Sequence, residues 1–142
     1  MSARTILPLR CLARDRSGAS AVEFALVFPM LAFLLTGMVS YGWYFWTAHS
    51  LQHAANDAAR AAIAGLTAPE RAALAEAAFA AHIENAALDP ALASLEVAET
   101  GARLTLAAQY DASGSAAFVL KGLTPMPSAE IRRDVSIELG GF

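Results

Sequence analysis

From Phe24 through Ala48 the chain carries no charged residue, a run of 25 positions. About 20 consecutive apolar residues suffice to cross the hydrocarbon core of a bilayer as a helix. That run leaves few folds open, and it predicts a helix that spans a membrane. At its entrance stands Glu23. Burying an ionised carboxylate at bilayer depth costs about 2.5–3.5 kcal/mol on insertion scales, so an acid at that place calls for a partner.

Charge sets the orientation. Residues 1–18 hold Arg4, Arg10, Arg14 and Arg16 against Asp15, while the remainder is acidic and the whole chain has a formal net charge of −3. A basic flank stays in the cytoplasm, which puts the C-terminal part outside. The acidic exported part argues against nucleic acid as a partner, because it repels phosphates. Cys11 is the single cysteine, and it precedes the apolar run. The exported part therefore has no disulfide framework. Cys11 reads as an incidental cytoplasmic thiol.

A cleaved secretory signal has an apolar core of 7–15 residues and a small-residue cleavage site after it. Here the run is longer and ends in Tyr41, Trp43, Tyr44, Phe45 and Trp46. Counted from Ala19 at 1.5 Å per residue, this cluster lies roughly 37 Å along a helix. Trp and Tyr concentrate at the membrane–water interface, so the cluster marks the outer surface. The small-residue junction with basic residues beside it is Gly18–Ala19, before the run. Pro29 falls inside the span and removes one backbone donor, which predicts a bend or a loosened turn.

The stretch Arg14-Asp15-Arg16-Ser17-Gly18-Ala19-Ser20-Ala21-Val22-Glu23-Phe24-Ala25-Leu26-Val27-Phe28-Pro29 closely resembles the start of the TadE-like pseudopilins of the tight-adherence (Flp) type IV pilus system. The resemblance is specific over residues 14–48 and weaker through Ala58-Ala59-Arg60-Ala61-Ala62. It implies a prepilin peptidase that cuts after Gly18, so that Ala19 becomes the first mature residue and Glu23 the fifth. Glu23-Phe24 matches the Glu-Phe/Tyr pair of the family. It also implies a single-pass protein of the bacterial inner membrane with a periplasmic C-terminal part. Its partners would be the peptidase, other pilins or pseudopilins, an inner-membrane assembly platform and membrane lipid. The physics of the motif agrees: cleavage would free an ammonium at Ala19, a natural partner for Glu23 of a neighbouring subunit. A charge pair in a low-dielectric interface fixes register, and a lone partner there is costly.

Beyond Ala48 the helical pattern continues. Leu51, Ala54, Ala55, Ala58, Ala59 and Ala62 form a stripe at i, i+3/i+4 spacing. One helix is expected from about Ala19 to Ala64, closed by Gly65 as a C′ residue. His49, His53 and Asp57 share a face. Two His at i, i+4 are compatible with a metal, but no H-E-x-x-H pattern or further His cluster completes a site, so none is assigned. Thr67-Ala68-Pro69-Glu70 reads as an N-cap, a first-turn proline and a capping-box glutamate. The second helix runs to about Ala87, with Leu74, Ala77, Ala78, Ala81 and Ile83 as its apolar stripe, and Leu88-Asp89-Pro90 ends it.

The remainder reads as strands. Leu95–Glu99 is the first, Thr100-Gly101 turns, and Arg103–Tyr110 is the second with Leu104, Leu106, Ala108 and Tyr110 on one face. Ala116–Leu123 is ambiguous: Phe118, Val119 and Leu120 are compatible with a short helix lying on the sheet or at the membrane, and Pro125 and Pro127 break the chain. Ile131 to Leu139 forms the third strand, with Arg133 on its otherwise apolar face as an edge or rim position. The fold class is α+β: a long N-terminal transmembrane helix extended outward, then a second helix and a small antiparallel sheet. The segments are a cleaved basic leader 1–18, a transmembrane helix 19–48, its extension 49–65, and an exported domain 66–142.

No nucleotide loop, nucleophile elbow or metal motif is present in the sequence. Ser113-Gly114-Ser115 lacks the flanking glycines of an elbow, and the acids of the exported part alternate as a hydrated surface. No catalytic residue or cofactor is expected. A minor pseudopilin of a pilus or its initiation or tip complex is the first reading. The alternative is an uncleaved bitopic protein whose periplasmic domain binds an envelope partner.

Overall fold

The computed structural model describes residues 16–118 and 127–140. The leader residues Arg4, Arg10, Cys11, Arg14 and Asp15 lie outside the described residues, as do Val119 to Leu123 and Pro125. The fold is α+β: helix α1 (Arg16–Ala62), helix α2 (Ala68–Asn85), and strands β1 (Ala93–Thr100), β2 (Arg103–Asp111) and β3 (Glu130–Glu138). The chain divides into two compact units, Met1–Met38 and Val39–Phe142.

The described part of the first unit is helix alone. Pro29 sits inside α1, and the helix continues through it. Thr36 returns its hydroxyl to the Ala32 carbonyl at 2.7 Å. Every residue of Gly18–Met30 is exposed, Leu26 to 74% and Met30 to 78%. In water such a surface would cost roughly 25 cal/mol for each Å² of apolar area, which is the physical reason to place it in lipid or against other helices.

The second unit owns the core. Along α1 the predicted stripe Leu51, Ala54, Ala55, Ala58, Ala59 and Ala62 is buried, and Thr47 and Ala48, outside the prediction, are buried with it. It joins Ala75, Phe79 and Ile83 of α2 and Leu104, Leu106, Ala108, Tyr110 and Ile131 of the sheet in one cluster. The alanines bring no bulk of their own, so the large residues of the core come from Leu51, α2 and the strands.

The apolar stripe of α2 differs from expectation. Ile83 is buried as expected and Ala78 is half-buried, but Leu74, Ala77 and Ala81 are exposed. The buried line is Ala75, Phe79 and Ile83, at intervals of four. An alanine-rich helix has little contrast between faces, and its two buried bulky residues, Phe79 and Ile83, set the phase.

Both ends of α2 are capped. Thr67 is the N-cap, its hydroxyl accepting from Glu70 N at 3.4 Å. Glu70 Oε2 accepts from Leu66 N at 2.9 Å, one residue before the N-cap amide that a capping box uses. At the other end Leu88 N donates to Ile83 O at 3.1 Å and Ala87 N to Glu84 O at 3.0 Å. Ala87 has φ 52. These paired bonds make a Schellman motif built on alanine, with buried Leu88 and Ile83 supplying its apolar contact. The helix therefore stops at Asn85, two residues short of expectation.

Gly65 does not take the left-handed conformation of a C′ glycine; the positive-φ glycines among the described residues are Gly101 and Gly140. The turn closes through Ala64 N to Ala61 O and Gly65 N to Ala62 O, at 3.2 and 3.0 Å. Its glycine has a different cause. A Cβ on Gly65 would lie 2.7 Å from Arg71 N and 3.0 Å from Arg71 Cα. The first turn of α2 presses on the link, and only a missing side chain lets it.

The sheet is antiparallel in the order β1-β2-β3. Thr100 pairs with Arg103 across the two-residue turn that Gly101 enters at φ 61. Leu106 pairs with Val97 on one side and Val135 on the other, so the apolar positions of all three strands fall on one face. β3 is an edge strand, as Arg133 predicted. Between β2 and β3, Ala116–Phe118 forms a 3-10 turn, and Phe118 packs edge-on to Tyr44 of α1 at 6.5 Å.

Candidate assembly helix and processing site

Gly18 and Ala19 lie in the first turn of α1, exposed. The first turn of a helix has no intrahelical acceptors for its amides and unwinds most easily. Among the described residues nothing lies within 4 Å of a Cβ built on Gly18. A glycine in a helix costs roughly 0.5–1 kcal/mol relative to alanine. No packing among the described residues repays that cost at Gly18, in contrast to Gly65.

One turn further, Glu23 and Phe24 are exposed, Phe24 to 66%. The Phe24 ring meets that of Phe28 at 5.4 Å. Among the described residues Glu23 forms no ion pair; the four that exist are elsewhere. The carboxylate thus stands on an apolar helical surface whose length and composition suffice to cross a membrane.

Residues 18–60 match the TadE-like protein family. No curated protein and no solved structure matches the chain. The match begins at the glycine of the predicted junction, takes in Glu23 and Phe24, and stops just short of the end of α1. It covers most of α1 and not the sheet. It supports a protein associated with the tight-adherence pilus, and the single apolar helix fits a single-pass membrane protein of such a system.

The aromatic cluster divides in two along this helix. Trp43 and Tyr44 are half-buried against the core, while Phe45 and Trp46 are exposed. The polar face that follows is also divided. His82 of α2 places Nδ1 2.9 Å from Asp57 Oδ2, and its ring stacks on that of His53 at 6.5 Å. His49 instead lines a cleft with Phe45, Gln52 and Arg133. The three residues that share a helix face in the sequence therefore serve two places. No group of three ligating side chains able to hold a metal is found among the described residues.

The sequence reading missed His82 as the partner of Asp57, and Arg71 as the tie between α2 and β1. Arg71 Nη2 and Nε reach Glu99 Oε1 and Oε2 at 2.7 and 3.0 Å, and Nη1 reaches Gly65 O at 3.2 Å. The Glu99 hydrogen bond holds the guanidinium above its ordinary pKa. An arginine two residues after the helix-initiating Pro69 gave no sequence signal for a partner 28 residues away.

Proposed function

We propose that this chain is a minor pseudopilin, inserted with its N-terminus in the cytoplasm, clipped after Gly18 by a prepilin peptidase, and packed through α1 into a tight-adherence pilus or its initiation or tip complex. The observation that carries the reading is the family match over residues 18–60, which opens at Gly18 and is confined to the helix. The open surroundings of Gly18 support it: a glycine the fold does not need suits a peptidase that must grip a narrow backbone. The exposed apolar surface from Val22 to Val39 supports burial against lipid first and other subunits later.

In this reading cleavage does two things. It removes the basic leader, which otherwise holds the helix at the cytoplasmic face. It also creates an ammonium on Ala19, at a helix end where the dipole disfavours a cation. A neighbouring Glu23 answers that charge. Each subunit then offers one amine and one acid, and the axial offset between neighbours is fixed by the need to match them. The periplasmic domain, residues 66–142, presents contacts to other pilins or to the inner-membrane platform.

Glu23→Ala separates the two steps. Processing at Gly18–Ala19 should persist, while recovery of the protein in sheared fibres, or crosslinking to its pilin partners, should fall to background. Undiminished incorporation of the alanine variant would reduce Glu23 to a tolerated acid and remove the proposed pairing.

A further inference from the structure

Arg133 is the residue that the fold leaves unexplained. On the helix-facing side of the sheet it stands among Ile131, Val135, Leu104, Leu106, Ala108 and Tyr110. The one carboxylate of that face, Glu99, sits at the far end of the sheet and is held by Arg71. Arg103 and Arg132 are paired with Glu138 and Asp134, but Arg133 has no ion pair among the described residues. Its Nη1 donates to the Arg132 carbonyl at 2.7 Å, which leaves the rest of the guanidinium fork without an anion.

Arg133 lines a cleft of about 160 Å³ with Phe45, Ala48, His49 and Gln52. Phe45 and Trp46 are exposed, and they belong to the aromatic cluster that marks the membrane interface. The cleft therefore joins Phe45 and Ala48 at interface depth to an arginine from β3 and to an imidazole and an amide one and two turns further along α1. Gln52 Nε2 spends one hydrogen on Asn56 Oδ1 at 3.5 Å. Arg binds phosphate oxygens through two parallel N–H donors, and its weak hydration lowers the cost of doing so beside apolar surface.

We propose that this cleft binds the headgroup phosphate of an anionic phospholipid, with Arg133 as the principal donor, His49 and Gln52 beside it, and the acyl chain along Phe45. The inference rests on the membrane-spanning reading of α1. Its consequence is a fixed height and rotation of the exported sheet against the bilayer before assembly.

Trp43 and Trp46 are the only tryptophans of the chain, and both lie within two residues of Phe45 along α1. The full chain is reconstituted in phosphatidylcholine vesicles containing equal small fractions of acyl-brominated phosphatidylglycerol or acyl-brominated phosphatidylcholine, and tryptophan quenching is compared. A basic side chain at an anionic surface enriches acidic lipid by about fivefold, so the brominated phosphatidylglycerol should quench at a severalfold lower fraction. Arg133→Gln should abolish that preference. Arg132→Gln removes the same charge from the opposite face and should keep it. Gln52→Glu, on the helix surface, supplies an internal anion for Arg133 and should also abolish it, which covers a folding defect in the first variant. Equal quenching by both lipids, equal loss in Arg132→Gln, or a preference retained in Gln52→Glu would overturn the proposal. A preference erased by inorganic phosphate would assign the cleft to free phosphate and overturn the lipid. Absence of preference together with lowered fibre recovery of Arg133→Gln would give the cleft to a protein neighbour. Quenching by neither lipid would instead show that α1 is not in the membrane.

Discussion

Replacing Gly65 by alanine tests how the two helices are joined. The added methyl would sit 2.7 Å from Arg71 N, 2.8 Å from Arg71 Cγ and 3.0 Å from Arg71 Cα. Two of those atoms are backbone, so turning the arginine side chain relieves only one. Either the link or the first turn of α2 must move, and Arg71 Nη1 would lose its 3.2 Å bond to the Gly65 carbonyl as it does. Overpacking of this kind costs about 1–3 kcal/mol. For a unit of this size each kcal/mol lowers the melting temperature by roughly 4–8 °C. The assay is thermal melting of the full chain in detergent, followed by near-ultraviolet circular dichroism. Asparagine at the same position is the sharper variant. A left-handed C′ residue tolerates asparagine, whereas a close approach rejects it at least as strongly as alanine. Wild-type melting of Gly65→Ala, or a tolerated Gly65→Asn, would refute the close-approach argument.

Three further outcomes follow from particular residues. Ala87→Gly should stabilise the unit by about 0.5–1 kcal/mol, because an L-residue pays about 1–2 kcal/mol at left-handed φ and glycine returns part of that gain as chain entropy; a lower melting temperature would contradict the Schellman assignment. Leu51→Ala should cost about 2–5 kcal/mol, since Leu51 is fully buried, while Leu26→Ala on the exposed helix should leave melting unchanged and weaken fibre incorporation instead. Asp111 accepts from Ser113 N at 2.9 Å, and that bond, followed by the Ser113 side chain, holds its pKa below the ordinary value. Its stabilising contribution is present above about pH 4 and is lost as pH falls through the lowered folded pKa, so the gap between wild type and Asp111→Asn in denaturant titrations should close in acid; a constant gap would remove the charge from the argument.

What could be read in advance was whatever rests on contrast along the chain. The charge-free run, the Gly18-to-Glu23 spacing and the alternation of Leu104, Leu106, Ala108 and Tyr110 each stand out against their neighbours. The stripe on α1 was legible because Leu51 and the polar residues Gln52, Asn56 and Asp57 fix its phase. On α2 the same period is written almost wholly in alanine, and its phase depends on which partner Phe79 and Ile83 meet. Gly65 was read by its commonest use at a helix end, and only the approach of Arg71 reveals the other. Asp57–His82 and Arg71–Glu99 join residues 25 and 28 positions apart, and local spacing carries no trace of such pairs. Gly18, Glu23 and Phe24 are the reverse case: among the described residues Gly18 meets no neighbour, Glu23 forms no ion pair and Phe24 meets Phe28 of its own helix, so their spacing speaks of something outside the subunit.

The most direct test is the mass of the mature N-terminal peptide from cells that carry the matching prepilin peptidase. A chain that begins at Ala19, with Gly18→Arg left uncut, is the predicted result. A chain that still begins at Met1 or Ser2 in the presence of active peptidase would contradict the account and leave an uncleaved, membrane-tethered protein in its place.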